Sequence, residues 1–531
     1  MKGCNRPGWV MVSFVALFAL LGGVYGPAGG QVAAAANDQE DLRASLRTFS
    51  MVYDLVEQNF ANRLDPERAI YKGAIPGMLR TLDPHSSFFD PRDYQLLKED
   101  QRGHYFGVGM KVGPRNNKTL VVEVFTGSPA YRAGLRPGDV IVSVDGKSTE
   151  GLTTPEVADR LKGPRGTLVK VEIMREGNPQ PLLFEIIRDE ISRKSVPDAY
   201  WIRPGIAYLY IAQFNENTSR EVDENLRRLG EHNIRGLILD LRGNPGGLLS
   251  EGVAVAERFL QKNQTIVFHR GRASAERSYV AKRGNGGFRY PIVVLVDHQS
   301  ASAAEIVAGA LQDHDRAWIM GDNTFGKGLV QTVYPLSENT GLALTTAKYY
   351  TPSGRLIQRD YAGLSFFDYY YRKNSDVKNP NDVRMTDSGR TVYGGGGIAP
   401  DEKVVPPKPT RFQIELRRKY AFFDFTSKYF GTRATATLPR GWEPDETLLE
   451  EFHQYLLKQG VSFTEAEFAE HRDWIRTELK REMYATAVGV DEASRVAIES
   501  DPVVAKAIEA MPKARALLEN TRKLIVRRLA K

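Results

Sequence analysis

The spacing of apolar residues changes along the chain, and each change marks a different element. Val10 to Val24 is one apolar stretch behind Lys2 and Arg6, and glycines and alanines follow to Ala36. That order predicts a secretory signal cleaved near Ala34-Ala35-Ala36. The run is short for a membrane span of about 20 residues, and an uncleaved anchor is the alternative. From 41 to 97 the period is helical, carried by Leu46, Phe49, Met51, Val52, Leu55 and Val56. A second helix opens at Asp65-Pro66, passes through Ile70, Ile75, Met78 and Leu79, and ends at Leu82-Asp83-Pro84-His85.

From 103 the pattern shortens to strands broken by turns. Leu120–Val124, Val140–Val144 and Val169–Met174 read as strands, and Thr154 with Pro155 opens a helix running to Leu161. From 192 to 405 strands alternate with helices. Ile206–Phe214, Leu237–Leu241, Pro291–Val296, Trp318–Gly321, Val330–Tyr334 and Leu342–Tyr349 are the strands. Helices follow at Ser219–Leu229, after Asn244-Pro245-Gly246-Gly247 and after Ser302. This predicts an α/β layer with a partly parallel sheet. Tyr361 to Gly397 is polar, aromatic and glycine-rich, the composition of a mobile surface loop. Pro406-Pro407-Lys408-Pro409 is a linker, and helices follow at Leu448–Leu457, Phe468–Met483 and Val503–Leu529. The expected segments are 1–36, 37–102, 103–190, 191–405 and 406–531. The chain is thus multidomain, α/β and α+β, with a helical N-terminal region and a helical C-terminal extension.

Composition narrows the function. With 42% hydrophobic and 26% charged residues, the chain is neither a polytopic membrane protein nor mostly disordered. Cys4 is the only cysteine, which excludes an internal disulfide framework and any multi-cysteine metal site. A mature chain without cysteine suits an oxidising compartment. A net charge of +7 is mild over 531 residues. It permits peripheral association with an anionic membrane and does not point to nucleic acid.

Ser302 stands between a buried strand and the helix after it, where free N–H groups and the helix dipole favour a developing anion. The N–H of Ala303 is then an oxyanion donor. Ser302-Ala303-Ala304-Glu305 also reads as a plain capping box. A nucleophilic serine needs a base. His298 and His314 are nearest in sequence, but no G-x-S-x-G elbow surrounds Ser302. Lys327, between Gly326 and Gly328, is the better candidate. To act near neutrality it must lie about 3 pH units below its usual value of about 10.4, at about 4 kcal/mol. Gln331, four residues on in an extended segment, shares its face and offers an amide oxygen. Asp240 to Gly247 is a strand-to-helix turn whose Gly246 or Gly247 N–H supplies a second oxyanion donor. It lacks the lysine and serine/threonine of a Walker loop.

These segments, with Ser300 to Asp313, Gly321 to Gln331, Leu82 to Ser86 and Gly397 to Asp401, resemble the C-terminal processing peptidases, or tail-specific proteases. In that family a serine and a lysine 25 residues on form a dyad assisted by a glutamine four residues further, and Ser302, Lys327 and Gln331 match. Ala304 departs from the serine of many relatives, and Asp313 matches an acidic position read here as structural. Phe106, Gly107, Val108, Gly109 and Met110, with the turns at Gly127-Ser128-Pro129-Ala130 and Gly138-Asp139, resemble a PDZ module. A substrate C-terminus would add as a strand along Val108–Val112, with the helix after Thr153 as the other wall. Lys162 and Arg165 are candidate sensors of its occupancy.

The resemblance implies a periplasmic or extracytoplasmic serine endopeptidase that needs no metal or cofactor and acts on proteins through their C-termini. The alternatives are a non-catalytic PDZ scaffold and a histidine-dependent PDZ protease. An adaptor or activator protein is an expected partner. Self-association is expected through the helical ends, whose faces equally suit packing on the chain's own core.

Overall fold

Two neighbouring strands in which every residue is buried, Gly236–Asp240 and Ile292–Val296, form the centre of the fold. The computed structural model describes residues 40–371, 382–431, 436–439 and 441–529. The expected signal segment lies outside the described residues. Two compact units divide the chain, one up to Thr81 and one from Leu82 onward.

In the first unit a helix covers 40–59 and exposes Leu46, Phe49, Val52, Leu55 and Val56. A second helical segment includes wide π turns over Arg68–Ala74 and then continues as Ile75–Arg80. The wide turns stop just before Pro76, which has no N–H to give the helix ladder.

In the second unit the central sheet runs Asp198–Arg203, Ile206–Tyr210, Gly236–Asp240, Ile292–Val296, Trp318–Gly321 and Glu402–Lys403. Its first pair is antiparallel and the others are parallel. Continuous apolar runs follow from burial on both faces. Leu237, Leu239, Val294 and Val296 face helices Thr218–Arg228, Leu249–Phe259 and Ala303–Asp313. Ile238, Val293 and Leu295 face Val503, Val504, Ala507 and Met511 of the last two helices, Pro502–Glu509 and Met511–Leu529. These C-terminal faces are therefore used in the chain's own core, as one of the two expected readings had it. A truncation after Pro406 would strip one side of the sheet. Helices between Arg411 and Ala487 build a separate aromatic core around Phe422, Phe425 and Phe452.

Residues 104–192 contain a five-strand antiparallel path, Met110–Arg115, Lys118–Val124, Val140–Val144, Leu168–Met174 and Leu182–Ile187. Helix Thr154–Leu161 packs Val157 and Leu161 into its core. The N-cap of that helix is Thr153, one residue before the expected Thr154, and Glu156 closes back onto its N–H at 2.7 Å. This β-domain rests on the C-terminal helices through an Arg115–Asp424 ion pair and an Arg136 Nη1 hydrogen bond to the Phe430 carbonyl at 3.3 Å.

A second sheet joins Ser87–Phe89, Gly341–Tyr350, Thr265–Arg270, Arg277–Val280 and Leu329–Pro335. The segment from Tyr361 to Gly397 is more than a surface loop. It contains helix Phe366–Tyr371 and a hairpin of Val383–Met385 with Thr391–Tyr393, and it buries Tyr369. The part of it over 372–381 lies outside the described residues.

Candidate active site

Ser302 begins helix Ala303–Asp313 with φ 54° and ψ −113°. A positive φ on a residue with a Cβ is strained by about 1–3 kcal/mol, so its surroundings must impose it. The Ala301 N–H donates to the Asn244 carbonyl at 2.9 Å, and the Ser302 N–H donates to Glu305 Oε2 at 2.8 Å. The Tyr349 hydroxyl reaches the Ser302 carbonyl at 3.1 Å and also the Lys327 carbonyl. Gly246 packs so close that a Cβ there would lie 2.7 Å from that of Ser302, and its φ of +94° also favours glycine.

Glu305 ties the serine to the lysine. Its side chain has no exposed surface. Oε1 accepts from Thr324 Oγ1 at 2.5 Å and from the Gly326 N–H at 2.7 Å, and Oε2 accepts from the Lys327 N–H at 2.9 Å as well as from Ser302. Burial raises the Glu305 carboxyl above its usual range, and these four donors oppose the rise. The capping residue seen in the sequence is thus the bracket that holds two loops together.

Lys327 Nζ donates to Gln331 Oε1 at 2.7 Å, and Gln331 Nε2 donates to the His85 carbonyl at 2.6 Å. A register shift between Val330 and Gln331 interrupts the strand at this point. Burial lowers the Lys327 ammonium below its usual value, while Glu305 and Asp83 pull it upward. The flanking glycines make room for backbone: a Cβ on Gly328 would lie 2.8 Å from the Gln358 nitrogen.

His85 is pushed down to about 4 by burial and then by the Lys327 charge. Its ring nitrogens meet the hydroxyls of Tyr369 at 2.8 Å and Tyr370 at 3.2 Å, and its backbone N–H donates to Asp83 Oδ1 at 2.7 Å. The two histidines nearest in sequence are engaged elsewhere. His314 bonds Asp387 and the Thr265 carbonyl, and His298 lines a cavity with Asp240 and Arg242. Asp313 pairs with buried Arg355 at 2.7 Å, which is a structural contact.

Of the two expected glycine donors, Gly246 gives its N–H to Asn244 Oδ1 at 2.8 Å. Gly247 follows with φ +142°, its Cα so near the Phe214 carbonyl that a Cβ would collide with it.

The β-domain carries a groove of about 290 Å³ between its edge strand and helix Thr154–Leu161, lined by Val108, Gly109, Met110, Val112, Ala158 and Leu161. Phe106 and Gly107 do not line it. They pair instead with Glu190 and Asp189 in a separate ladder, while Val108 and Gly109 line the groove ahead of strand Met110–Arg115. Helix Pro91–Arg102 borders the groove, joined to it by Arg92–Asp159 at 3.0 Å, Glu99–Lys162 at 2.6 Å and Asp100–Arg193. Arg165 pairs with Asp189 in an exposed loop.

Residues 205–364 match the family model described as Peptidase family S41, and residues 120–175 match a PDZ domain. A carboxy-terminal-processing protease of Bartonella bacilliformis is 40% identical over 61% of this chain and 74% of its own length. The chain belongs to the carboxyl-terminal processing proteases. It is also similar to the carboxyl-terminal-processing protease of Synechocystis sp., 36% identical over 67% of this chain and 84% of the relative. The carboxy-terminal processing protease CtpB of Bacillus subtilis is 32% identical over 68% and 76%. Among solved structures, a photosystem II D1 C-terminal processing protease is similar at 29% identity over 67% of this chain and 86% of that one, with a TM-score of 0.35. Family membership makes this a serine-type protease with a PDZ domain and a core that mixes helices with several sheets.

Proposed function

We propose that the chain cleaves proteins with a Ser302/Lys327 dyad assisted by Gln331, after its PDZ groove engages their C-termini. The observation that carries this reading is the shared bracket of Glu305, which bonds the backbone of both Ser302 and Lys327 while burial favours the neutral lysine. Ser302 Oγ attacks the scissile carbonyl carbon, and Lys327 Nζ takes the hydroxyl proton. The N–H groups of Ala303 and Gly247 face the oxyanion, since that of Gly246 is already donated to Asn244. Lys327 returns the proton to the departing amine, leaving an acyl-serine. Water then attacks the ester with Lys327 again as base, releasing the new carboxyl terminus and restoring Ser302.

An apolar groove beside an unpaired strand edge suits an extended C-terminus with an apolar last residue. The predicted signal at 1–36 assigns the mature enzyme to the extracytoplasmic side of the envelope, where an adaptor or activator and a second copy are the expected partners.

The test is digestion of an unfolded protein ending in apolar residues by wild type, Ser302→Ala and Lys327→Ala. The dyad predicts cleavage by wild type alone, with both variants folded. Cleavage by Lys327→Ala would refute the lysine base. Sequencing the N-terminus of the envelope fraction tests the address, and an intact residue 1 in the cytosol would refute it.

A further inference from the structure

A cavity of about 500 Å³ lies where the last helix, Met511–Leu529, meets the loop that follows the catalytic helix. Four arginines line it: Arg289, Arg316, Arg515 and Arg522. Arg316 is only 7% exposed. It donates from Nε to the Phe259 carbonyl at 2.8 Å and from Nη1 to the Tyr290 carbonyl at 3.0 Å. Neither acceptor carries a formal charge. Its neighbours are arranged differently. Arg258 has Glu231, Arg355 has Asp313, and Arg390 has Asp315 and Asp401. Among the described residues none of the four cavity arginines has a carboxylate partner; Arg515 reaches only the Arg235 carbonyl, at 3.2 Å.

A buried guanidinium without a counter-ion is costly, because Coulomb attraction must offset its lost hydration. Burial accordingly lowers Arg316 to about 10. The acidic groups on the cavity do not supply the missing charge. Asp315 is taken by Arg390 Nε at 2.6 Å and by the Ser388 N–H at 2.5 Å, and Glu519 is an exposed rim residue. His314 also lines the cavity, held by Asp387 and the Thr265 carbonyl.

We infer that this cavity binds a polyvalent phosphate-bearing ligand, with Arg316 at its floor and Arg289, Arg515 and Arg522 at its rim. Four guanidinium groups exceed what a single carboxylate can neutralise, and their planar forks suit phosphate oxygens. The volume falls in the range of small-molecule sites, about 300–1,000 Å³. The bound anion bridges the C-terminal helix to His314–Arg316, the residues directly after helix Ala303–Asp313. The site is separate from Ser302, and it stands or falls independently of the Ser/Lys reading.

The test uses the full-length protein and inorganic pyrophosphate, with sodium chloride at matched ionic strength as control. Calorimetry should show saturable binding tighter than about 1 mM. Arg515→Ala with Arg522→Ala, both exposed positions on the last helix, should weaken it by about tenfold or more at unchanged fold. Arg316→Gln, checked by circular dichroism, should abolish it. Co-sedimentation with phosphatidylglycerol vesicles, against phosphatidylcholine, separates the two sources of phosphate. Vesicle binding that pyrophosphate competes away and the arginine variants lose assigns a lipid headgroup. Pyrophosphate binding without vesicle binding assigns a soluble ligand. Absence of saturable binding, or binding that the Arg515/Arg522 variant leaves unchanged, overturns the proposal.

Discussion

Glu305→Gln is the sharpest perturbation of the active-site framework, because it keeps the shape and removes one acceptor oxygen. The carboxylate accepts four hydrogen bonds, two on each oxygen. A glutamine can place its amide nitrogen on either side. Facing Ser302 and Lys327 it meets two N–H groups that cannot accept. Facing Thr324 and Gly326 it meets one hydroxyl that can turn and one N–H that cannot. The second orientation is the cheaper. It leaves one buried N–H unpaired, at about 1–3 kcal/mol, and turns the remaining charge-assisted bonds into neutral ones, at about 1 kcal/mol. Together these come to about 2–4 kcal/mol, and relief of the buried charge offsets part of it, so the expected loss of stability is about 1–3 kcal/mol. The bonds to Ser302 and Lys327 persist as weaker neutral ones while the Gly326 N–H beside Lys327 loses its acceptor, and the lysine loop loosened there should lower kcat by about 10-fold. The lysine should titrate lower still, since burial already depresses it and Glu305 is the first group opposing that shift. Urea unfolding and a pH–rate profile on one peptide read all three effects. An unchanged urea midpoint together with a wild-type kcat would refute the bracket, and an acid limb displaced to higher pH would refute the electrostatic argument.

Activity of the wild type should rise with pH as Lys327 loses its proton, reaching its plateau below the usual lysine value. Stability should begin to rise in that window and keep rising up to the usual lysine value, because the unfolded lysine still binds a proton that the native one has released. Lys327→Ala should cost at least about 100-fold in kcat, measured by single-turnover cleavage. His85 falls from 6.5 to about 4, so the native state should lose about 3 kcal/mol as pH drops between those values, the unfolded chain alone taking up the proton. His85→Gln should flatten that slope in urea titrations at a series of pH values, and an equal slope in both proteins would exclude His85 as its source. Deleting 490–529 uncovers Tyr208, Ile238, Val293, Leu295 and Met320. At about 1.5–3 kcal/mol for each side chain, that approaches the whole stability of a domain, so the truncated protein should be unfolded or insoluble. A soluble, cooperatively unfolding product would contradict this.

Local signals determined much of the protein. Strand Trp318–Gly321 and strand Val140–Val144 occupy the positions their apolar runs specify, because a fully or half-buried strand writes its environment into consecutive residues. The strand-to-helix turn from Asp240 to Gly247 and the glycines around Lys327 were legible because positive φ and close backbone approach restrict which residues fit. Short strands such as Ser87–Phe89 were not legible, since three residues carry too little periodicity and this strand exists only by pairing with Gly341–Tyr350. Tertiary structure alone decided that Glu305 braces Lys327, that the His85 carbonyl holds Gln331 across 246 residues of sequence, and that the C-terminal helices cover the central sheet. Hydrogen bonds and burial between distant segments depend on which surfaces meet, and no local pattern of residue types encodes that meeting.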